Sequence, residues 1–181
     1  MESLKRAITT LHEQYRIPHI MITSISLPSP GAEPSLSVVG STFTSSATPR
    51  IFGVKIPAID CFFSGTGDMF AALMLVRLRE AVFNVGGLID TAAWVSKDDV
   101  VSTELPLAKA TEKVLASMHE VLTKTKESRD LEIEKYAAKF DDIEADEKMF
   151  RLIKSKAAEV RLVRNLDSLK NPQVRFRAES V

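Results

Sequence analysis

The first third of the chain combines one helical pattern with several extended ones. Apolar residues recur at helical spacing at Leu4, Ile8 and Leu11, and Pro18 ends this pattern. The stretch HIMITSI that follows is rich in β-branched residues and predicts a buried strand. After the turn-forming stretch SLPSPGAEPS, the stretches LSVVGSTF and RIFGVKIP predict two strands separated by the polar loop TSSATP. We therefore expect a helix, a strand and then a hairpin.

The middle of the chain predicts a helix that packs on this sheet. Met69 to Phe83 has apolar residues on most sides and is charged only at Arg77, Arg79 and Glu80. A helix that is apolar nearly all round is typical of a covered position. We therefore expect it to be well buried.

The C-terminal part predicts a long helix followed by a charged helical insertion. The stretch LPLAKATEKVLASMHEVL has a strong helical pattern, and residues of about 123 to 160 continue it with many charges. In this insertion, apolar residues are spaced by three and four at Ile133, Tyr136, Phe140 and Ile143. This spacing favours a solvated helix or helical hairpin that rests one stripe on its own domain over one that pairs with a partner helix.

Two short stretches near the C-terminus, EVRLVRN and QVRFRAE, alternate apolar and basic residues. Such alternation is typical of edge strands. Together with the N-terminal patterns, these stretches predict a chain of mixed helices and strands, in which the charged insertion is an appendage and not a second domain. The sequence shows no internal repeat and no low-complexity tract.

Composition excludes several classes of function. The 181 residues have a formal net charge of zero, so bulk charge favours neither nucleic acid nor a membrane as partner. The N-terminus lacks the apolar core of a secretory signal, and the single cysteine, Cys61, fits a reducing compartment, which predicts a cytoplasmic location.

Few side chains outside the middle helix suggest chemistry. His12, His19 and His119 lack the spacing of metal ligands, so a polar surface role or a satisfied interior role is expected for each. We expect Cys61 to be a small buried apolar residue and Trp94 to anchor a loop, although Trp94 could also line a ligand.

The stretch DCFFSGTGDMF carries the strongest chemical signal, because it leads directly into the middle helix. Backbone N–H groups around Gly65, Thr66 and Gly67 would lie at the positive end of the helix dipole, where no bulky side chain blocks an anion. The glycines permit the backbone angles of such a turn, and Thr66 adds a hydroxyl donor. Asp68 beside this anion hole could accept a proton from an attacking hydroxyl, which suggests phosphoryl transfer to an alcohol.

The same spacing also fits an ordinary helix start, in which the glycines make the turn and Asp68 complements the dipole. The stretch is not a P-loop, because it lacks the Gly-Lys-Ser/Thr ending, and it is not a G-x-G-x-x-G fingerprint. Spacing alone leaves both interpretations open.

The stretches ITSISLP, IPAIDCFFSGTGDMFAALML and NPQVRFRAE together resemble the C-terminal half of pyridoxal kinases, which belong to the ribokinase-like superfamily. The resemblance implies that residues 1–181 are the C-terminal part of one ribokinase-like domain, with an incomplete α/β fold of a Rossmann-like central sheet and flanking helices. It covers most of the chain outside the charged insertion, and nothing in the 181 residues resembles the preceding half of these kinases. Met1 is therefore expected to fall inside a helix of the family fold, as in a truncated or alternatively started product.

The resemblance implies phosphorylation of pyridoxal, pyridoxine or pyridoxamine by ATP. Asp68 would bind the vitamer and deprotonate its 5′-hydroxymethyl group, and Gly65, Thr66 and Gly67 would hold the ATP phosphates. Weaker nucleotide contacts are implied at Thr23, Ile56, Pro57, Ala58 and Ile59. Mg²⁺ would bridge the phosphates, with its ligands mostly in the half that this chain does not resemble.

The resemblance also leaves room for a homodimer and gives no reason to expect nucleic acid or a membrane as partner. Two alternatives stay open. One is another kinase of the superfamily, such as a hydroxymethylpyrimidine kinase, since the substrate half would distinguish them. The other is a non-catalytic protein that keeps the loop as structure and associates through a sheet edge and the charged helix.

Overall fold

The computed structural model describes residues 1 to 26, 33 to 137 and 147 to 181. The helices and strands in chain order are α1 (Glu2–Tyr15), β1 (His19–Ile25), β2 (Ser35–Phe43), β3 (Pro49–Pro57), α2 (Thr66–Phe83), α3 (Pro106–Ala137), α4 (Glu147–Ala157), α5 (Leu166–Lys170) and β4 (Ala178–Ser180). Single 3₁₀ turns lie at Leu88–Asp90, Ala92–Trp94, Ser102–Glu104 and Val163–Asn165.

The described strands form one antiparallel sheet in the order β1-β2-β3-β4. Gly40 on β2 lies opposite Phe52 on β3, and a Cβ at Gly40 would collide with the Phe52 ring. Glycine at this position therefore lets the large, fully buried Phe52 ring lie directly against the neighbouring strand.

Helix α1 packs its apolar stripe on this sheet. Ile8 is fully buried in a cluster with Ile20, Val39 and Ile51, and Leu4 and Leu11 pack at its border. The predicted N-terminal helix, the strand HIMITSI and the following hairpin are all confirmed. The turn-forming stretch between β1 and β2 lies partly outside the described residues, which omit 27 to 32.

Arg50 fastens a later loop to the hairpin. Its guanidinium donates to the carbonyl oxygens of Lys97 at 2.6 Å and of Ser96 and Val100 at 3.1 Å each. A guanidinium has five donors in a fixed plane, so one side chain can satisfy several loop carbonyls that no strand pairs.

The predicted long helix is confirmed as α3, which continues into the charged insertion up to Ala137. Helix α4 supports the helical prediction for the later part of the insertion. Ile133 and Tyr136 lie in the described part of this stripe, whereas Phe140 and Ile143 lie outside the described residues.

The predicted strand EVRLVRN is wrong. Its last three residues form the 3₁₀ turn Val163–Asn165, which leads into α5. Val160 and Leu162 suggested the alternation, but apolar residues also recur every third residue, at Val160, Val163, Leu166 and Leu169, and this spacing fits a helical turn equally well. In QVRFRAE only the last residues join the sheet, as β4, where the buried Glu112 carboxylate accepts bonds from Ala178 N (2.9 Å) and Arg177 Nη1 (3.0 Å).

The expectation that the middle helix is well buried is also wrong. Met74, Arg77 and Val82 of α2 are buried, but Leu75 and Phe83 are 69% and 60% exposed. Apolar sequence all round a helix predicts burial only where other elements cover every side, and the described residues leave one side of α2 uncovered.

The contacts divide the chain into two compact units. The first comprises Met1–Ala58, Ala72–Leu115 and Val174–Val181 and contains the sheet, and the second comprises Ile59–Ala71 and Ala116–Gln173. That residues 1–181 belong to one domain stays a prediction. None of the helices in the described ranges is both long and apolar enough to span a membrane.

Candidate functional site

The loop singled out in the sequence forms the start of α2. The helix begins at Thr66, and the Met69 N–H donates to the Gly65 carbonyl at 3.0 Å. Gly65 is therefore the N-cap residue, whose carbonyl accepts the first hydrogen bond of the helix. Gly65 has a φ of 79°, in the left-handed region that favours glycine. Gly67 lies inside the helix without a positive φ, so only one of the two glycines is required by backbone conformation.

The space around this helix start is open. A Cβ built on Gly65 or Gly67 would meet no atom within 4 Å, and both glycines and Asp68 are exposed. The first N–H groups of a helix have no acceptor within the helix, and the helix dipole gives this end a partial positive charge. The arrangement therefore suits a phosphate or carboxylate group that approaches the backbone closely.

Asp68 is held in the first turn of the helix while it stays accessible. The next residue, Met69, is only 6% exposed and anchors this turn in its unit. Asp68 itself lies among the exposed residues. A carboxylate at this position is accessible to a substrate hydroxyl and lies one residue after Gly67 of the anion site.

Two neighbours of the loop give no signal in the sequence. The first neighbour is Glu159, which pairs through its backbone with Ser64 in an isolated parallel bridge. This bridge fixes the chain just before Gly65. Lys126 of α3 has a raised pKa, first because of its hydrogen bond to Asp130, and a smaller contribution comes from Cys61. Both neighbours are far away in the chain, so local spacing could not have revealed them.

The more weakly implied nucleotide residues lie outside this turn. Thr23 is exposed on β1, and Ile56 and Pro57 are the last two residues of β3. The Ala58 N–H donates to the Pro34 carbonyl at 2.9 Å, and Ile59 begins the second compact unit. The structure therefore brings Gly65, Thr66, Gly67 and Asp68 together, and a nucleotide contact at each of the other five residues stays a prediction.

His12 is buried and His19 is half-buried, and both have the hydrogen-bond partners that a polar surface role or a satisfied interior role needs. His12 Nδ1 donates to the Ile17 carbonyl at 2.6 Å, so its Nε2 accepts from the Ser41 hydroxyl at 2.8 Å. His19 bonds Thr42 Oγ1 and the Ala93 carbonyl. Burial lowers the pKa of both histidines and so favours the neutral rings, in which the nitrogen that faces the hydroxyl accepts its hydrogen bond.

Cys61 differs from the buried position expected of it, whereas the role of Trp94 stays a prediction. Cys61 is half-buried and not a core residue, because its loop lies at the surface. Trp94 is half-buried in a 3₁₀ turn and lines a surface groove of the first unit. In residues 1–26, 33–137 and 147–181, no group of three or more His, Cys, Asp or Glu side chains could hold a metal ion.

Comparison with known proteins identifies the relatives of this chain. A Schizosaccharomyces pombe protein provisionally named a pyridoxal kinase is 29% identical over 178 residues, which are 97% of this chain and 47% of that protein. Pyridoxal kinase of pig (Sus scrofa) is 35% identical over 111 residues, which are 59% of this chain and 27% of that enzyme. The resemblance to pyridoxal kinases is therefore confirmed. No protein-family model matches the chain.

The fold agrees with this resemblance. Pyridoxal kinase from Leishmania donovani, solved in complex with ADP, superimposes with a TM-score of 0.64 at 16% identity, over 100% of this chain and 45% of that enzyme. The chain thus has part of the ribokinase-like α/β fold of a pyridoxal kinase. It spans less than half the length of each of these relatives.

Proposed function

We propose that this chain is part of a pyridoxal kinase, which transfers the γ-phosphoryl group of ATP to the 5′-hydroxymethyl group of pyridoxal, pyridoxine or pyridoxamine. The names of the relatives and the ADP bound to the Leishmania donovani enzyme support a kinase that uses ATP. The observation that carries the proposal is the open, glycine-rich start of α2, with Asp68 in its first turn.

The start of α2 would bind the phosphates of ATP. Gly65, Thr66 and Gly67 supply backbone N–H groups at the positive end of the helix, and the Thr66 hydroxyl adds a donor. Negative charge develops on the transferred phosphoryl oxygens and the leaving ADP, so fixed donors at this point favour the transition state. Open space at both glycines supports this role because it lets the phosphates reach the backbone.

Asp68 would act as the base. Its carboxylate takes the proton of the vitamer hydroxyl, the hydroxyl oxygen forms a bond to the γ-phosphorus, and the bond from that phosphorus to the β-phosphate oxygen breaks to release ADP. The exposure of Asp68 supports access of a substrate hydroxyl to this carboxylate.

Mg²⁺ commonly neutralises phosphate charge in such transfers. The described residues contain no group of three or more His, Cys, Asp or Glu side chains that could hold a metal ion by themselves, and Mg²⁺ beside ATP is commonly held by the phosphates and one or two carboxylates. Apart from Asp68, we expect the residues that hold the vitamer to lie mostly in the part of the fold that this chain does not match, because the chain spans 45% of the Leishmania donovani enzyme.

Calorimetric titration of the 181-residue chain with ATP tests the phosphate site. Gly67→Val should weaken ATP binding at least roughly tenfold, because the branched side chain fills the space in front of the helix N–H groups. Gly86→Val is the matched control, since Gly86 also has no atom within 4 Å of its Cβ position and no positive φ. Equal ATP affinity in wild type and Gly67→Val would favour the ordinary helix start and overturn the phosphate site.

A further inference from the structure

Helix α2 carries a second apolar stripe that the described residues leave uncovered. Leu75, Val76 and Phe83, which we call the α2 stripe, are 69%, 54% and 60% exposed, while Met74 and Val82 of the same helix are buried. A contiguous exposed apolar patch marks an interaction surface, whereas apolar residues scattered singly over a surface are ordinary. A helix with two apolar sides is typical of one covered on both.

A groove of about 660 Å³ lies beside the stripe and belongs to the same compact unit. Its lining residues are Leu75, Val76, Arg79, Glu80, Phe83, Asn84, Trp94 and Lys113. In one recurring mode of recognition, an amphipathic helix lays its apolar side into such a groove and inserts side chains spaced by three and four residues.

The charges at the groove indicate the character of that helix. Glu80 is shared by two cations, since its Oε2 lies 2.7 Å from Arg77 Nη1 and 4.0 Å from Lys113 Nζ. The Arg79 guanidinium lies 5.9 Å from the centre of the Phe83 ring. Cations outnumber the one carboxylate, so a partner helix with carboxylates beside its apolar residues would be complementary.

A second copy of this chain fits the groove less well. In a twofold arrangement, two α2 helices that pack through their stripes run antiparallel, and Leu75 of one meets Phe83 of the other. Arg79 lies midway between these positions and would then face its own copy. This like-charge contact disfavours the symmetric pair.

The sheet of the same unit also has an open side. Strand β1 is the edge of the described sheet, and none of its residues from His19 to Ile25 is Asp, Glu, Lys or Arg. Natural edge strands are commonly protected by charges. The β1 edge therefore lacks the charged side chains that would oppose pairing with a further strand.

We propose that the α2 stripe and its groove are a docking surface for a helix, apolar on one side and flanked by carboxylates, that belongs to the rest of the kinase fold. The Leishmania donovani enzyme matches the whole of this chain with only 45% of its own length, so more than half of that fold has no counterpart here to cover the stripe. The proposal rests on the fold and is independent of the proposed catalytic role of Asp68.

Thiol labelling tests this occupant. The kinase-length fusion joins this chain to the part of the Schizosaccharomyces pombe relative that it does not match, in the order of that relative. Leu75→Cys and Phe83→Cys are made in a Cys61→Ser background, in the 181-residue chain and in the fusion. Maleimide should react at least roughly tenfold more slowly in the fusion, because the docked helix must open before the thiol is reached.

Glu13→Cys is the matched control, because Glu13 is an exposed polar residue of α1 in the same unit, and its rate should be equal in both proteins. Equal rates at the stripe in both proteins would overturn the proposal, as would a fusion without a cooperative unfolding transition. Protection in the 181-residue chain that grows with protein concentration would also overturn it, since a second copy would then be the occupant.

Discussion

The first turn of α2 and the α2 stripe are both exposed, but they differ in chemistry. The first turn offers glycines, helix N–H groups and a carboxylate, which suit a small charged ligand. The stripe consists of Leu75, Val76 and Phe83, whose burial against another apolar surface is favourable and which have no polar group to bind a charged ligand. We therefore propose a ligand site at the start of this helix and a protein surface farther along it, and each can be disrupted separately.

The largest effect should come from the absence of the rest of the kinase fold, which would cover the stripe and hold the vitamer. We expect the 181-residue chain alone to form no measurable pyridoxal 5′-phosphate from ATP and pyridoxal, and the kinase-length fusion to form it. Positioning of the substrate can lower a barrier by roughly 7–11 kcal/mol, and an intact first turn cannot replace it. Turnover by the isolated chain would show that residues 1–181 hold a vitamer pocket.

The next effect concerns the first turn. Asp68→Asn in the fusion should lower kcat by about 10²–10⁴ while ATP affinity stays nearly unchanged, because the amide keeps the shape and loses the base. Asp90→Asn, at an exposed aspartate of the turn Leu88–Asp90, is the matched control and should keep full activity. Near-normal turnover of Asp68→Asn would remove this carboxylate from the mechanism.

The first turn could be predicted from the sequence because it is local. Two glycines, a threonine and an aspartate before a helical pattern fix the backbone donors within four residues, whatever the rest of the fold does. The N-terminal helix and the hairpin were predictable for the same reason, since their periodicities match the burial that each element needs. Which glycine needs a positive φ was not, because both precede Asp68 within the same short turn.

The exposure of the stripe could not be predicted, because it depends on what covers α2 in three dimensions. The pattern of Met69 to Phe83 indicates a helix with two apolar sides, and the described residues bury only one of these sides. The Ser64–Glu159 bridge and the Arg50 contacts were equally invisible, since each joins segments distant in the chain. The 3₁₀ turn at Val163–Asn165 was missed because one apolar pattern fitted two periods.

A smaller effect should separate the two sides of α2 in the 181-residue chain. Met74 is 8% exposed, so Met74→Ala should lower the free energy of unfolding by about 2–5 kcal/mol through lost contacts and a cavity. Its exposed neighbour Leu75 should tolerate the same change to within about 0.5 kcal/mol. Urea unfolding measures both. A loss at Leu75 as large as that at Met74 would mean that the stripe is already covered in this chain.

The smallest effect should distinguish the two glycines of the first turn, one needed for its backbone conformation and the other for the space it leaves for the ATP phosphates. Gly65→Ala forces a residue with a Cβ into the left-handed region and should lower the free energy of unfolding by about 1–2 kcal/mol. Gly67→Ala should instead raise it by up to about 1 kcal/mol, because alanine is the better helix former at a position without positive φ. The added methyl group nevertheless enters the open space where we place the ATP phosphates, so Gly67→Ala should bind ATP more weakly while it is more stable. Thermal unfolding measures the stability and calorimetric titration measures the ATP affinity of the same samples. A stabilised Gly67→Ala variant with unchanged ATP affinity would show that the phosphates do not bind in that space.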